Sequence, residues 1–250
     1  MSSAFLPATS AGWRRRRLLA GLAGVAGAAL AGPGRADAVV PRYAAQLPPA
    51  AELEYALRQG LLSGTGVLRW QPAADLYAIS LEARVLGLTA LVWSSTGRID
   101  AGGLAPLRFG DRRLSRSERV AEFDRGAATI RYSGMARQTP LVAGAQDRLS
   151  WMVQLPAIVA ADASLRDAGR EVSMFVTGAR GDADLWRFVV QGRQDITLPA
   201  GAVAGALHLR RVEAASGHTR AEAWLDPARA YLPVRARIVD GDDTDFSLRR

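Results

Sequence analysis

Apolar and polar residues alternate with a period of two over much of this chain, which predicts strands with one buried and one solvated face. Leu53, Tyr55 and Leu57 fall on one side, with Glu52, Glu54 and Arg58 on the other. The clearest run sets Tyr77, Ile79, Leu81, Ala83 and Val85 against Ala78, Ser80, Glu82 and Arg84. Another strand is expected at Ala128, Ile130 and Tyr132, after the turn Asp124-Arg125-Gly126. The C-terminal part continues with Val172, Met174 and Val176; Trp186, Phe188 and Val190; Leu207 and Leu209; Ala221, Ala223 and Leu225; Leu232, Val234, Ala236 and Ile238; and Phe246 with Leu248. Gly60, Gly64 and Gly66 read as the turn after the first strand, and Gly181-Asp182, Gly192, Gly201, Ser216-Gly217 and Gly241-Asp242 as later connections. Connections this short imply sequential antiparallel pairing, because a parallel crossover needs a much longer segment.

One segment departs from the alternation. Leu149, Met152, Val153, Val159 and Ala160 follow helical spacing, which predicts a helix over Asp147–Ala161 with Asp147 as N-cap. Pro156 should kink it or divide it in two. No internal repeat and no linker separates residues 39–250, which are read as one domain.

Residues 1–38 have the layout of a cleavable signal peptide: the basic block Arg14–Arg17, the apolar run Leu18–Leu30, and a small-residue exit ending in Ala36-Asp37-Ala38. The apolar run of roughly 13 residues is too short for a transmembrane helix, which needs about 20. Cleavage is expected after Ala38, with Ala36 and Ala38 forming the recognition pair. Arg15-Arg16-Arg17-Leu18-Leu19 resembles a twin-arginine signal, and the general and twin-arginine routes both stay open. A soluble periplasmic or secreted protein is the consequence.

Composition narrows the chemistry. All 32 basic residues are Arg, so Schiff-base catalysis, a pyridoxal phosphate anchor and a phosphate-loop lysine are excluded. The absence of Cys excludes disulfides, thiolate nucleophiles, iron–sulfur ligation and a lipid-modified N-terminal Cys. No cofactor is expected. Loss of residues 1–38 removes five arginines and one aspartate, leaving a net charge of +4. That modest excess, without interleaved aromatics, gives nucleic-acid binding no support.

Several segments together resemble a known family. These are Gly97 to Asp100 with Gly103-Leu104-Ala105-Pro106-Leu107-Arg108-Phe109; Gln146-Asp147-Arg148-Leu149-Ser150 through Gln154-Leu155; and Trp224-Leu225-Asp226-Pro227 with Leu232-Pro233-Val234-Arg235. In order and spacing they resemble the domain-of-unknown-function family 3108, over roughly Tyr43 to Arg249. The resemblance implies an exported, mainly β protein: a curved antiparallel sheet, similar to the open half-barrels of periplasmic lipoprotein carriers, whose concave side holds the short Pro-interrupted helical segment or an apolar ligand. It carries no established activity, and fold analogy does not transfer function.

The densest polar motif is Gln146, Asp147, Ser150 and Gln154, with Trp151 beside it. These residues are the ligand-binding candidates. Capping and docking of the helix is the competing explanation. Ser150 lacks the surroundings of a nucleophile elbow, and only His208 and His218 are available as imidazole bases. No catalytic residue is assigned. Asp240, Asp242, Asp243 and Asp245 depart from calcium-loop spacing and read as a hairpin turn, so no metal site is assigned. Arg112, Arg113, Arg116 and Arg119 form a charge run suited to acidic lipid headgroups or to solvent. Trp70, Trp93, Trp151, Trp186 and Trp224 could wall an apolar cavity or fill a core.

The leading expectation is a periplasmic, carrier-like module for a lipid or lipidated partner. A structural or interaction role in envelope biogenesis is the alternative. An envelope-polymer hydrolase using Glu52, Glu54 or Glu82 ranks third, since it needs two carboxylates facing one cleft. A membrane barrel suits the alternation, but charges on the non-core face and a mid-chain helix count against it.

Overall fold

The computed structural model describes residues 41–114, 116–212, 219–240 and 242–250. The predicted signal segment, Ser216-Gly217, His218 and Gly241 lie outside the described residues. In chain order the strands are β1 (Ala51–Gln59), β2 (Leu62–Ala73), β3 (Leu76–Val85), β4 (Leu88–Asp100), β5 (Gly103–Arg113), β6 (Arg119–Asp124), β7 (Thr129–Tyr132), β8 (Gln138–Pro140) and β9 (Gln146–Asp147). After the helix α1 (Trp151–Ala161) come β10 (Glu171–Thr177), β11 (Asp184–Leu198), β12 (Gly201–Val212), β13 (Arg220–Leu225), β14 (Pro233–Asp240) and β15 (Asp242–Leu248).

All 15 strands form one curved sheet in the order β8 to β1, then β15 back to β9. The first and last strands therefore meet in the middle, with Tyr55 opposite Leu248 and Gln59 opposite Thr244. Among the described residues every pairing is antiparallel except β9 with β10, which run parallel over two residues. The edges β8 and β9 do not pair with each other, so the sheet stays unclosed. Side chains stitch the gap instead: Tyr132 on β7 and Thr177 on β10 share a 2.9 Å hydrogen bond, and Gln146 Nε2 donates to the carbonyl of Leu104 on β5 at 2.8 Å.

The alternation maps onto the two faces as expected. Leu53, Tyr55, Leu57, Ile79, Leu81, Trp186, Phe188, Val234 and Phe246 all point into one continuous core. Three details differ. Gly64 and Gly66 lie inside β2, not in the turn: a Cβ on Gly64 would sit 2.0 Å from the carbonyl oxygen of Arg84, whereas a Cβ on Gly66 would make ordinary contact with the Phe246 ring at 3.5 Å. Gly192 is a bulge within β11 rather than a connection, where a φ of 119° favours glycine. Ala128 belongs to the turn, with a φ of 52°, so β7 starts one residue later.

The helix begins at Trp151, four positions after the expected cap, and continues through Pro156 without dividing. Proline removes one backbone hydrogen bond there, but Trp151 to Val159 are buried on all sides. A helix apolar all round belongs in an interior, where packing outweighs propensity. Trp151 stacks on Phe188 at 5.2 Å and lies 5.7 Å from Trp186. The segment before β1 straps this helix: Gln46 N donates to Ala157 O at 2.9 Å, Trp70 Nε1 to Pro48 O at 2.9 Å, and Ser173 N to the Tyr43 hydroxyl at 3.0 Å. No helix among the described residues is long and apolar enough to cross a membrane.

Candidate functional site

The polar motif at the start of the helix is folded in on the protein. The Asp147 carboxylate accepts the backbone N–H groups of Leu149 at 2.8 Å and Ser150 at 2.7 Å. Ser95 on β4 donates its hydroxyl to the same carboxylate at 2.5 Å, and the Tyr77 hydroxyl lies 3.0 Å from Ser95 Oγ. Asp147 N in turn donates to Ser150 Oγ at 2.8 Å. Gln154 Oε1 accepts Leu104 N at 2.7 Å, while its Nε2 donates to Gly102 O at 2.7 Å. With Gln146 on the Leu104 carbonyl, two glutamines hold both polar groups of one β5 residue. Trp151 is core, and its indole N–H has no partner.

Burial pushes Asp147 up to about 6, overcoming the hydrogen bonds from Ser95, Ser150 and Leu149 that favour the ionised form. The folded state thus holds this proton more tightly than the unfolded chain, whose value is near 3.8. Asp147 favours the fold most at low pH, and that contribution falls between about pH 4 and 6 by about 3 kcal/mol. In urea titrations, the stability of the wild type minus that of Asp147→Asn should decline by this amount across the window. A pH-independent difference would contradict the assignment.

A different place offers room for a ligand. Near the end of the sheet where β1, β3 and β14 finish, a cleft of about 130 Å³ opens between inner-face side chains. Leu57, Val85, Leu91, Trp93, Ile238 and Phe246 supply its apolar wall, and Gln59, Arg113, Arg148 and Asp240 its polar one. Arg148 is only 8% exposed. Its guanidinium pairs with Asp182, lies 3.8 Å from Asp240, and stacks 5.2 Å over the Trp186 ring. Arg148 Nε and Trp93 Nε1 are nevertheless buried donors without an acceptor. A recess of about 20 Å³ shares Trp93, Arg113, Arg148 and Asp240 with the cleft and adds Asp111 and Asp182.

A larger cavity of about 670 Å³ lies between the strap at Pro41–Ala44 and the β4–β5 turn, over Leu104, Ile158 and Met174. Of the candidate ligand-binding residues, Gln154 lines it. Several of its polar groups are already engaged: Gln154 at both ends, the Tyr43 hydroxyl with Ser173 N, and Arg125 with Pro106 O, while Arg42 on its wall is exposed.

The remaining candidates are dispersed. His208 sits on the outer face of β12, stacked at 4.4 Å on Trp224 and 2.9 Å from Glu222, whereas Ser150 is inside. Burial lowers the His208 value. Glu52, Glu54 and Glu82 each pair with an arginine, Arg69, Arg250 and Arg84 respectively. Asp243 and Asp245 pair across the β14–β15 hairpin with Arg237 and Arg235. Among the described residues no group of three or more His, Asp or Glu could hold a metal ion.

Sequence reasoning passed over Arg148, although it stands inside the quoted motif. The available signal was an arginine between an aspartate and a leucine, beside a run of buried positions. Trp93 was among the five tryptophans considered as cavity walls, and it alone of them lines the rim cleft.

The fold has a solved counterpart. A crystal structure of a beta-barrel-like protein of domain of unknown function DUF1849 from Brucella abortus is similar with a TM-score of 0.50 and 16% identity, over 82% of this chain and 97% of that one. At that identity the likeness concerns the fold alone. No curated protein matches the chain. The model of the family "Protein of unknown function (DUF3108)" matches residues 52–246, and the chain belongs to that family.

Proposed function

We propose that this chain is an exported, carrier-like binding module of the cell envelope that holds an apolar chain bearing an oxygen acceptor in the cleft between Leu57, Trp93 and Phe246. The observation that carries the reading is an apolar cleft bordered by two buried, unpartnered N–H donors, Trp93 Nε1 and Arg148 Nε. An unmade buried hydrogen bond costs about 1–3 kcal/mol, so a carboxylate or ester oxygen brought alongside the apolar chain is rewarded. In this reading Gln146, Asp147, Ser150, Trp151 and Gln154 position Arg148 instead of touching the ligand. Export rests on the layout of residues 1–38.

Magnitudes set the expected affinity. A cavity of about 150 Å³ accepts benzene, so this cleft takes roughly five methylenes. At about 0.8 kcal/mol each they contribute about 4 kcal/mol, a millimolar interaction alone. A hydrogen bond to a charged group adds about 2 kcal/mol. Calorimetric titration with hexanoate, whose chain matches the cleft, should therefore give a dissociation constant of about 10–100 µM. Val85→Trp, which fills the cleft from its partly exposed wall, should abolish binding. Trp93→Phe, which keeps the ring and removes the donor, should weaken it about fivefold. Unchanged affinity in Val85→Trp would remove the cleft from consideration.

A further inference from the structure

We propose that the end of the sheet bearing the β1–β2, β3–β4 and β5–β6 turns docks on an anionic lipid bilayer. Antiparallel succession places these three turns on one rim, with neighbouring tips about 10 Å apart. Each tip presents leucine: Leu61 is 103% exposed, Leu86 83%, Leu88 70% and Leu114 63%. A single exposed leucine is ordinary, but a series on successive tips is a patterned apolar fringe. The turns at the opposite rim offer Leu76, at 48%.

The backbone makes the choice of residue more pointed. Leu86 and Leu114 have φ values of 51° and 48°, in the left-handed region. Turns of this kind favour Gly, Asn or Asp, so folding alone selects against leucine at both places.

Charge identifies the partner. Arg58, Arg112 and Arg116 stand beside these tips, are exposed, and make no ion pair among the described residues. Elsewhere on the sheet Arg69, Arg98, Arg131 and Arg237 each lie against a carboxylate. Exposed arginines without a carboxylate also stand elsewhere, at Arg42, Arg170, Arg210 and Arg249, but Arg58, Arg112 and Arg116 share one rim with the leucines. Separate leucines divided by turns do not form a groove for a protein helix or strand. A bilayer accepts them individually, with the guanidinium groups level with the phosphates. The same rim turns acidic at the β14–β15 hairpin, where Asp240 and Asp243 are exposed, so docking involves the half nearest β5.

Leu57, Gln59, Val85 and Leu91 of the cleft lie just behind these tips. Docking would set the cleft against the lipid, but it stands on the tips alone and does not require the cleft to be occupied.

The absence of Cys allows a local test on the full chain. Single variants Leu61→Cys, Leu86→Cys, Leu114→Cys and Leu76→Cys carry an environment-sensitive fluorophore and are mixed with vesicles of phosphatidylcholine and phosphatidylglycerol. The first three should brighten several-fold and shift to the blue, and Leu76→Cys should not. Replacing Arg58, Arg112 and Arg116 by Gln removes about fivefold each, so half-binding should need about a hundredfold more lipid. These side chains touch neither the cleft nor the core, so the fold is retained. Equal responses at Leu76 and Leu86, an equal response on pure phosphatidylcholine, or a response that rises with protein concentration without lipid would each overturn the proposal. The last result would point to self-association.

Discussion

Trp151→Ala is expected to lower the free energy of unfolding by about 3–5 kcal/mol, a large share of the roughly 5–15 kcal/mol that holds a domain together. The indole is 1% exposed and lies between α1 and the inner face of β11, against Phe188 and Trp186. Removing it forfeits transfer energy and opens a cavity that the two remaining rings cannot close. Aromatic contacts of this kind add about 0.5–1.5 kcal/mol beyond burial. The urea midpoint should fall with the m-value unchanged, while Trp151→Phe should lose much less. A loss below about 1 kcal/mol would mean that the helix is not integral to the core.

Gly103→Ala should cost a similar amount, about 3–4 kcal/mol, by another route. Gly103 has a φ of 99°, where a side chain is strained. An added Cβ would also lie 2.4 Å from Gln154 Oε1 and 2.8 Å from Ala45 Cβ. The substitution therefore strains the turn and pushes away the amide that holds Leu104 N and Gly102 O. Because Gln154→Ala removes the same two hydrogen bonds, the double variant should be less destabilised than the two single losses added together. Full additivity would show that Gly103 acts independently of the helix.

Much of the fold was legible because alternation reports directly which side of a strand is wet. Leu53, Tyr55 and Leu57, or Trp186, Phe188 and Val190, needed no further context to be assigned inward. The pattern failed where a residue served a neighbour instead of a face. Gly64 and Gly66 looked like turn residues, yet both lie within β2, and at Gly64 the missing side chain makes space for Arg84 O of the adjacent strand. Gly192 supplies a bulge in β11, a property of pairing that no single strand reveals. The parallel β9–β10 pair spans two residues, too few for any periodic signal. Pro156 looked like a break in the helix, but burial on every side outweighs one absent hydrogen bond.

The site was less legible than the fold for a physical reason. Gln146, Asp147, Ser150 and Gln154 stood out by composition, but their hydrogen-bond partners Ser95, Leu104 and Gly102 come from β4, β5 and the turn between them, about 50 positions away in sequence. The rim cleft is assembled from β1, β3, β4, β14 and β15, each giving one to three ordinary apolar residues. Only tertiary geometry shows that Trp93 and Arg148 border the same space.

The account turns on whether an aliphatic chain enters that space. Bromine density from 6-bromohexanoate, whose five methylenes match the cleft, in a crystal of the protein tests it most directly. The density should lie enclosed by Leu57, Trp93 and Phe246, with a carboxylate oxygen within hydrogen-bond distance of Arg148 or Trp93. Bromine found only beneath the strap at Pro41–Ala44, or an empty cleft at saturating ligand, would contradict it.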